Sequence, residues 1–182
     1  MMPICSFSGA RQGWVTGSGS DYDEASRQRW KHCSMSTAMA EYDPGADAVA
    51  RYPEVIVRHR RLGGIPAVSD PQRGVILIDR DGCRAERRTW LAHEIAHLDL
   101  AHESCPTGVE ECRREHRADR LAAARLITLD ELADALRWAL GPEEVAAELD
   151  VTPHMVKVRL RALTSEEKAY IEARIETHEG IA

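Results

Sequence analysis

Aromatic side chains are scarce in this sequence: they make up 5% of its 182 residues, with a single Phe. A core with few large rings must be filled by Leu, Ile, Val and Ala, which suits packed helices. No apolar run approaches the roughly 20 residues of a membrane-spanning helix. The first residues also lack the basic-then-apolar pattern of a secretory leader. Positive charge is not in excess, because the net charge is −6. That excludes a general nucleic-acid coat and leaves room only for a local basic face. The five cysteines, at 5, 33, 83, 105 and 112, are odd in number and form no C-x-x-C pair. No disulfide framework is expected, and the expected compartment is reducing and cytoplasmic.

What is present suffices for one compact fold with an appendage: 43% of residues are hydrophobic and 30% charged. Residues 1–38 carry scattered Gly and Ser and no sustained period, so they read as disordered or as an upstream extension, with Met35 or Met39 as an alternative start. Organised sequence follows. YDPGADAVARY (42–52) predicts a helix capped by Asp43 and opened by Pro44, with Ala46, Val49 and Ala50 on one face. VIVRH (55–59) and GVILID (74–79) predict strands, and an apolar IPAV (65–68) lies between them among turn residues. The expected sheet has two or three strands.

Beyond Arg84 the pattern is helical. RAERRTWLAHEIAHLDLAH (84–102) predicts one helix with Leu91, Ile95 and Leu98 as its apolar stripe. EECRREHRADRLAAARLI predicts a second, from about 110 to 127. TLDELADALRWAL (128–140) has Thr128 and Glu131 in capping-box spacing. PEEVAAEL and TPHMVKVRLRAL predict a tight helix pair, and SEEKAYIEARIETH (165–178) a last helix opened by Ser165. The division expected is 1–38 as extension, 39–127 as the functional domain and 128–182 as a C-terminal helical segment.

HEIAH (93–97) matches HExxH. Two histidines at i and i+4 share a helix face and can reach one tetrahedral ion. Glu94, turned away from that pair, is placed to take a proton from a metal-bound water. A catalytic zinc keeps three protein ligands and an open position. His102, Cys105, Cys112, Glu103, Glu110 and Glu111 are candidates for the third, but Glu115 suits it best. It opens EHRAD, with Asp119 one turn on, able to hydrogen-bond the far nitrogen of a liganding His. Ala122, Ala123 and Ala124 let this helix approach the HExxH helix closely. His102, His116, Tyr42 and Tyr170 are the candidates for stabilising an oxyanion. VAAELDVTPHMVKVRLRAL (145–163) reads as a helix-turn-helix, with Ala146, Leu149 and Val151 inward and Lys157, Arg159 and Arg161 adding charge for DNA contact. A hairpin covering the core or docking a protein is the alternative.

LAHEIAHLDLAH followed by EHRADRLAAARLI resembles the ImmA/IrrE-type metallopeptidases of bacteria, phages and mobile elements. Glu115, Ala118, Ala122 and Ala123 match their second motif. Asp119 stands for an Asn, Leu121 for a Phe, and the frequent Met-Pro is missing after Ile127. The resemblance covers roughly residues 41–135. It implies an α+β fold: a zincin-like, gluzincin-type core, with a small sheet packed on the HExxH helix and further helices. It also implies Zn2+ held by His93, His97 and Glu115, Glu94 as catalytic base, and a helix-turn-helix repressor as the protein substrate. Two other readings compete: a DNA-binding regulator with a structural or vestigial metal site, and a non-enzymatic partner-binding protein.

Overall fold

The structure, a computed structural model, describes residues 5–6, 42–101 and 109–179. Among them run β1 (Cys5–Ser6), α1 (Pro44–Arg51), β2 (Ile56–Arg60), β3 (Ala67–Asp70), β4 (Val75–Asp79), α2 (Arg84–Asp99), α3 (Val109–Leu126), α4 (Leu129–Leu136), α5 (Pro142–Glu148), α6 (Pro153–Ala162) and α7 (Ser165–Glu179). The class is α+β, as the sequence predicts. Residues 7–38 and the segment 102–108 lie outside the described residues, and with them His102, Glu103 and Cys105.

β3 and β4 form an antiparallel hairpin, and β2 pairs with β4 in parallel from Ile56 opposite Val75 to Arg60 opposite Asp79. Gly74 closes the hairpin turn at φ +61°, a conformation a side chain disfavours, and a Cβ there would meet the Glu54 carbonyl at 3.1 Å. The strand order is β1-β3-β4-β2, with Cys5 and Ser6 paired to Ser69 and Val68 on the outer edge of β3. β4 therefore has both edges occupied. One sheet face, from Ala67, Ile76 and Ile78, packs on Leu91 and Ile95 of α2.

Helix α2 is buried on two sides. Leu91 and Ile95 face the sheet, while Ala92 and Ala96 join Ala118, Ala122 and Ala123 of α3 in the larger core cluster. Alanines on both helices let the two axes come close. The same cluster takes in Leu132, Val145, Met155, Val156 and Ile171, so α4 to α7 share a core with the HExxH helix. At the end of α2, Asp99 accepts hydrogen bonds from Arg51, Tyr52 and Arg125, tying α1 and α3 to it. Burial works against this carboxylate, but those donors hold its pKa below the usual range.

Several sequence expectations need correction. In α1 the buried residues are Pro44 and Ala48, while Val49 is 74% exposed. Asp47 and Arg51 are drawn to Tyr42 and Asp99, and that turns the Ala46, Val49 and Ala50 side outward. α2 ends at Asp99 instead of His102, because Ala101 takes a left-handed conformation at φ +48°. α4 ends at Leu136 instead of Leu140. Beyond it, Trp138 and Leu140 are 53% and 95% exposed among the described residues. Thr164, not Ser165, caps α7, because only Thr164 has an acid three residues on. Its hydroxyl accepts from the Glu167 N–H at 3.2 Å and its own N–H donates to Glu167 at 2.9 Å. Arg159 offers no surface charge, being buried and bonded to the Ile127 carbonyl and Glu167. The caps at Asp43 and Thr128 form as predicted.

The alanine contact yields a prediction. Ala122→Leu should destabilise the fold by about 1–3 kcal/mol through overpacking. Urea unfolding would show a lower midpoint with an unchanged slope; a midpoint equal to wild type would contradict the close packing.

Candidate metal centre

His93 and His97 project from the same face of α2, and their Nε2 atoms lie 2.9 Å apart. Glu115 faces them from α3. Its Oε2 is 3.2 Å from His93 Nε2 and its Oε1 is 3.4 Å from His97 Nε2. A tetrahedral ion with ligands at about 2.0–2.1 Å has ligand–ligand edges of about 3.3–3.4 Å. The two imidazoles lie this close to each other, and each lies this close to one of the two Glu115 oxygens, so the three side chains could hold a divalent ion. These side chains form the one cluster of potential ligands among the described residues. The geometry follows from two local facts: the i, i+4 spacing aligns the imidazoles, and the alanine seam brings Glu115 within reach.

The electrostatics point the same way. His93 is 2% exposed. Burial alone would lower its pKa, but hydrogen bonds to Asp119 and Glu115, with the charge of Glu94, outweigh this and push it up to about 9. Burial likewise opposes ionisation of Glu115, yet bonding to His93 and His97 brings its carboxyl down to about 2. Carboxylates thus surround the buried imidazole and favour a cation beside them.

Asp119 lies one turn beyond Glu115, as the ExxxD spacing predicts. Its Oδ1 is 2.9 Å from His93 Nδ1, and this contact leaves Nε2 facing the other donors. Glu94 is 6% exposed and stands outside the ligand cluster. The remaining sequence candidates fall elsewhere. Glu110 and Cys112 are exposed, Glu111 is half-buried, and none of these three joins the cluster. His116 is exposed. Tyr42 donates its hydroxyl to Asp47 and Tyr170 to Asp130, so both serve packing or surface contacts. One contributor was missed. His154 Nε2, on α6, lies 3.2 Å from Asp119 Oδ2. A separation of 35 residues carries no periodic signal that would join the two.

A metal ion must displace the proton that His93 holds below about pH 9. At pH 7, ion binding should therefore release about one proton, and affinity should rise with pH until His93 is deprotonated. Calorimetric titration with Zn2+ in buffers of different ionisation enthalpy measures this; zero proton release would contradict the site as described.

None of the curated proteins matches this chain. Residues 53–161, more than half of it, match a peptidase family described as the IrrE N-terminal-like domain. The match spans the sheet from β2 onward, the HExxH helix, α3 with Glu115, and the chain through most of α6. The chain belongs to the IrrE N-terminal-like family and is a metallopeptidase of the ImmA/IrrE type.

Proposed function

We propose that the protein is a zinc-dependent endopeptidase with a zincin-like, gluzincin-type core. On this reading His93, His97 and Glu115 hold the ion and Glu94 is the catalytic base. The observation that carries it is the convergence of two imidazole Nε2 atoms and one carboxylate from neighbouring helices, with no fourth protein ligand among the described residues. A site so composed leaves a coordination position for water or substrate.

When bound, the ion supplies Lewis-acid polarisation of the scissile carbonyl and lowers the pKa of a coordinated water toward about 7. Glu94 takes the proton from the attacking water and passes it to the leaving amine. Asp119 keeps His93 in the tautomer that presents Nε2. An extended substrate can add only at an open sheet edge. β4 is interior, and β2 at the end of the sheet keeps its outer edge open among the described strands. On β3 a substrate strand would have to take the place that Cys5 and Ser6 hold against Val68 and Ser69.

The proposed substrate is a helix-turn-helix repressor, cut at one site so that phage or mobile-element genes are derepressed in the cytoplasm. This follows from the family resemblance. Among the described residues no helix is long and apolar enough to cross a membrane. DNA contact through residues 145–163 is the second reading. It retains exposed Lys157 and Arg161 as its cations, with Arg159 withdrawn into the core.

Glu94→Gln should keep the bound metal and lower cleavage of a repressor encoded beside the gene by about 10²–10⁴-fold. A chelator should abolish wild-type cleavage. Electrophoresis of the repressor after incubation measures both; cleavage that survives the substitution and the chelator would contradict the mechanism.

A further inference from the structure

The α5–α6 turn docks directly on the HExxH helix. Arg88 of α2 donates to the carbonyls of Leu149 and Asp150, each at 3.0 Å. Arg84 pairs with Asp150 at 2.8 Å, and the Thr152 N–H reaches the Thr89 hydroxyl at 3.4 Å. Asp150 holds a left-handed conformation at φ +48°, and Val151 beside it is fully buried. This docking sets the start of α6 against the back of the metal centre. There the His154 ring meets Asp119 Oδ2 at 3.2 Å, while Asp119 Oδ1 is 2.9 Å from His93 Nδ1. The result is a chain of three side chains from three helices, and His93 Nε2 at its end is one of the converging donors.

A carboxylate turns easily about its last torsion, since that rotation is broad and two-fold. Held at one oxygen alone, Asp119 could rotate and loosen its hold on His93. Held at both, it is fixed in plane, and the His93 ring is fixed with it. Asp119 is largely buried, whereas His154 is the exposed member of the chain, its side chain 59% accessible. His154 is not one of the clustered donors; its hydrogen bond goes to Asp119, and a route to the ion runs through that carboxylate.

We propose that His154 is a positioning residue of the metal centre: it clamps Asp119, thereby orients His93, and makes metal affinity depend on the docked α5–α6 turn. The proposal rests on the metal-centre reading above. The turn that would carry a DNA-reading helix in a helix-turn-helix is here the piece that closes the back of the site.

The test measures Zn2+ affinity of the full chain by competition with a chromophoric chelator, together with thermal unfolding of the metal-free proteins. Outer partners of a metal-bound His typically change affinity by 10–100-fold, so loss of a group one step further out should weaken it by about 3–10-fold. His154→Ala and His154→Leu should both show that loss, and His154→Gln, which keeps an amide donor, should recover most of it. The ring is largely exposed, so none of these variants opens a cavity. In an Asp119→Asn background, His154→Ala should have no further effect on affinity, because the route has been cut. A structural role would instead lower the metal-free unfolding temperature and weaken binding equally in both backgrounds. That pattern, or unchanged affinity in His154→Ala beside a tightly binding wild type, overturns the proposal alone. A wild type that binds no Zn2+ overturns it together with the metal-centre reading.

Discussion

The structure depends on how closely α2 and α3 approach. Ala92 and Ala96 on one helix and Ala118, Ala122 and Ala123 on the other are all fully buried. Larger side chains along that seam would hold the helices apart, and Glu115 could not reach two imidazoles on its neighbour. Close packing and ligand convergence are therefore one constraint seen at two points along the same pair of helices. The scarcity of aromatic residues fits it, since a seam of methyl groups has no room for rings.

The other elements set the orientation of that pair. The sheet supports α2 through Ile76, Ile78 and Ala67. Asp99, with donors from α1, the residue after it and α3, anchors its end. The α5–α6 turn grips its first half through Arg84, Arg88 and Thr89. Polar contacts thus act at both ends of a helix whose middle, residues 91–96, is buried throughout. Burying His93 there is tolerable because Asp119 and Glu115 satisfy both ring nitrogens.

Much of this was legible in the sequence, wherever local spacing determines geometry. The i, i+4 histidines, the Glu115–Asp119 step, the caps at Asp43 and Thr128 and the strand at 74–79 are short-range patterns, and the structure contains each of them. Contacts between distant segments were not legible. Nothing near Arg159 signals that its guanidinium turns inward to the Ile127 carbonyl, so it read as surface charge. Val49 follows the apolar rule yet faces solvent, because a network around Asp99 decides the rotation of α1. His154 meets Asp119 only once the whole C-terminal bundle has folded back onto α2. Helix ends at Asp99 and Leu136 were also misjudged. The first is set by a left-handed residue, and past the second Trp138 and Leu140 stand exposed among the described residues.

The central claim is that two imidazoles and the Glu115 carboxylate are the protein ligands of one divalent ion. X-ray absorption spectroscopy of the Zn2+-loaded protein tests it most directly. The account predicts only nitrogen and oxygen neighbours at about 2.0–2.1 Å, an imidazole signal equivalent to two rings, and a changed first shell in Glu115→Ala. A sulfur neighbour at about 2.3 Å, or a first shell unaltered by Glu115→Ala, would contradict it.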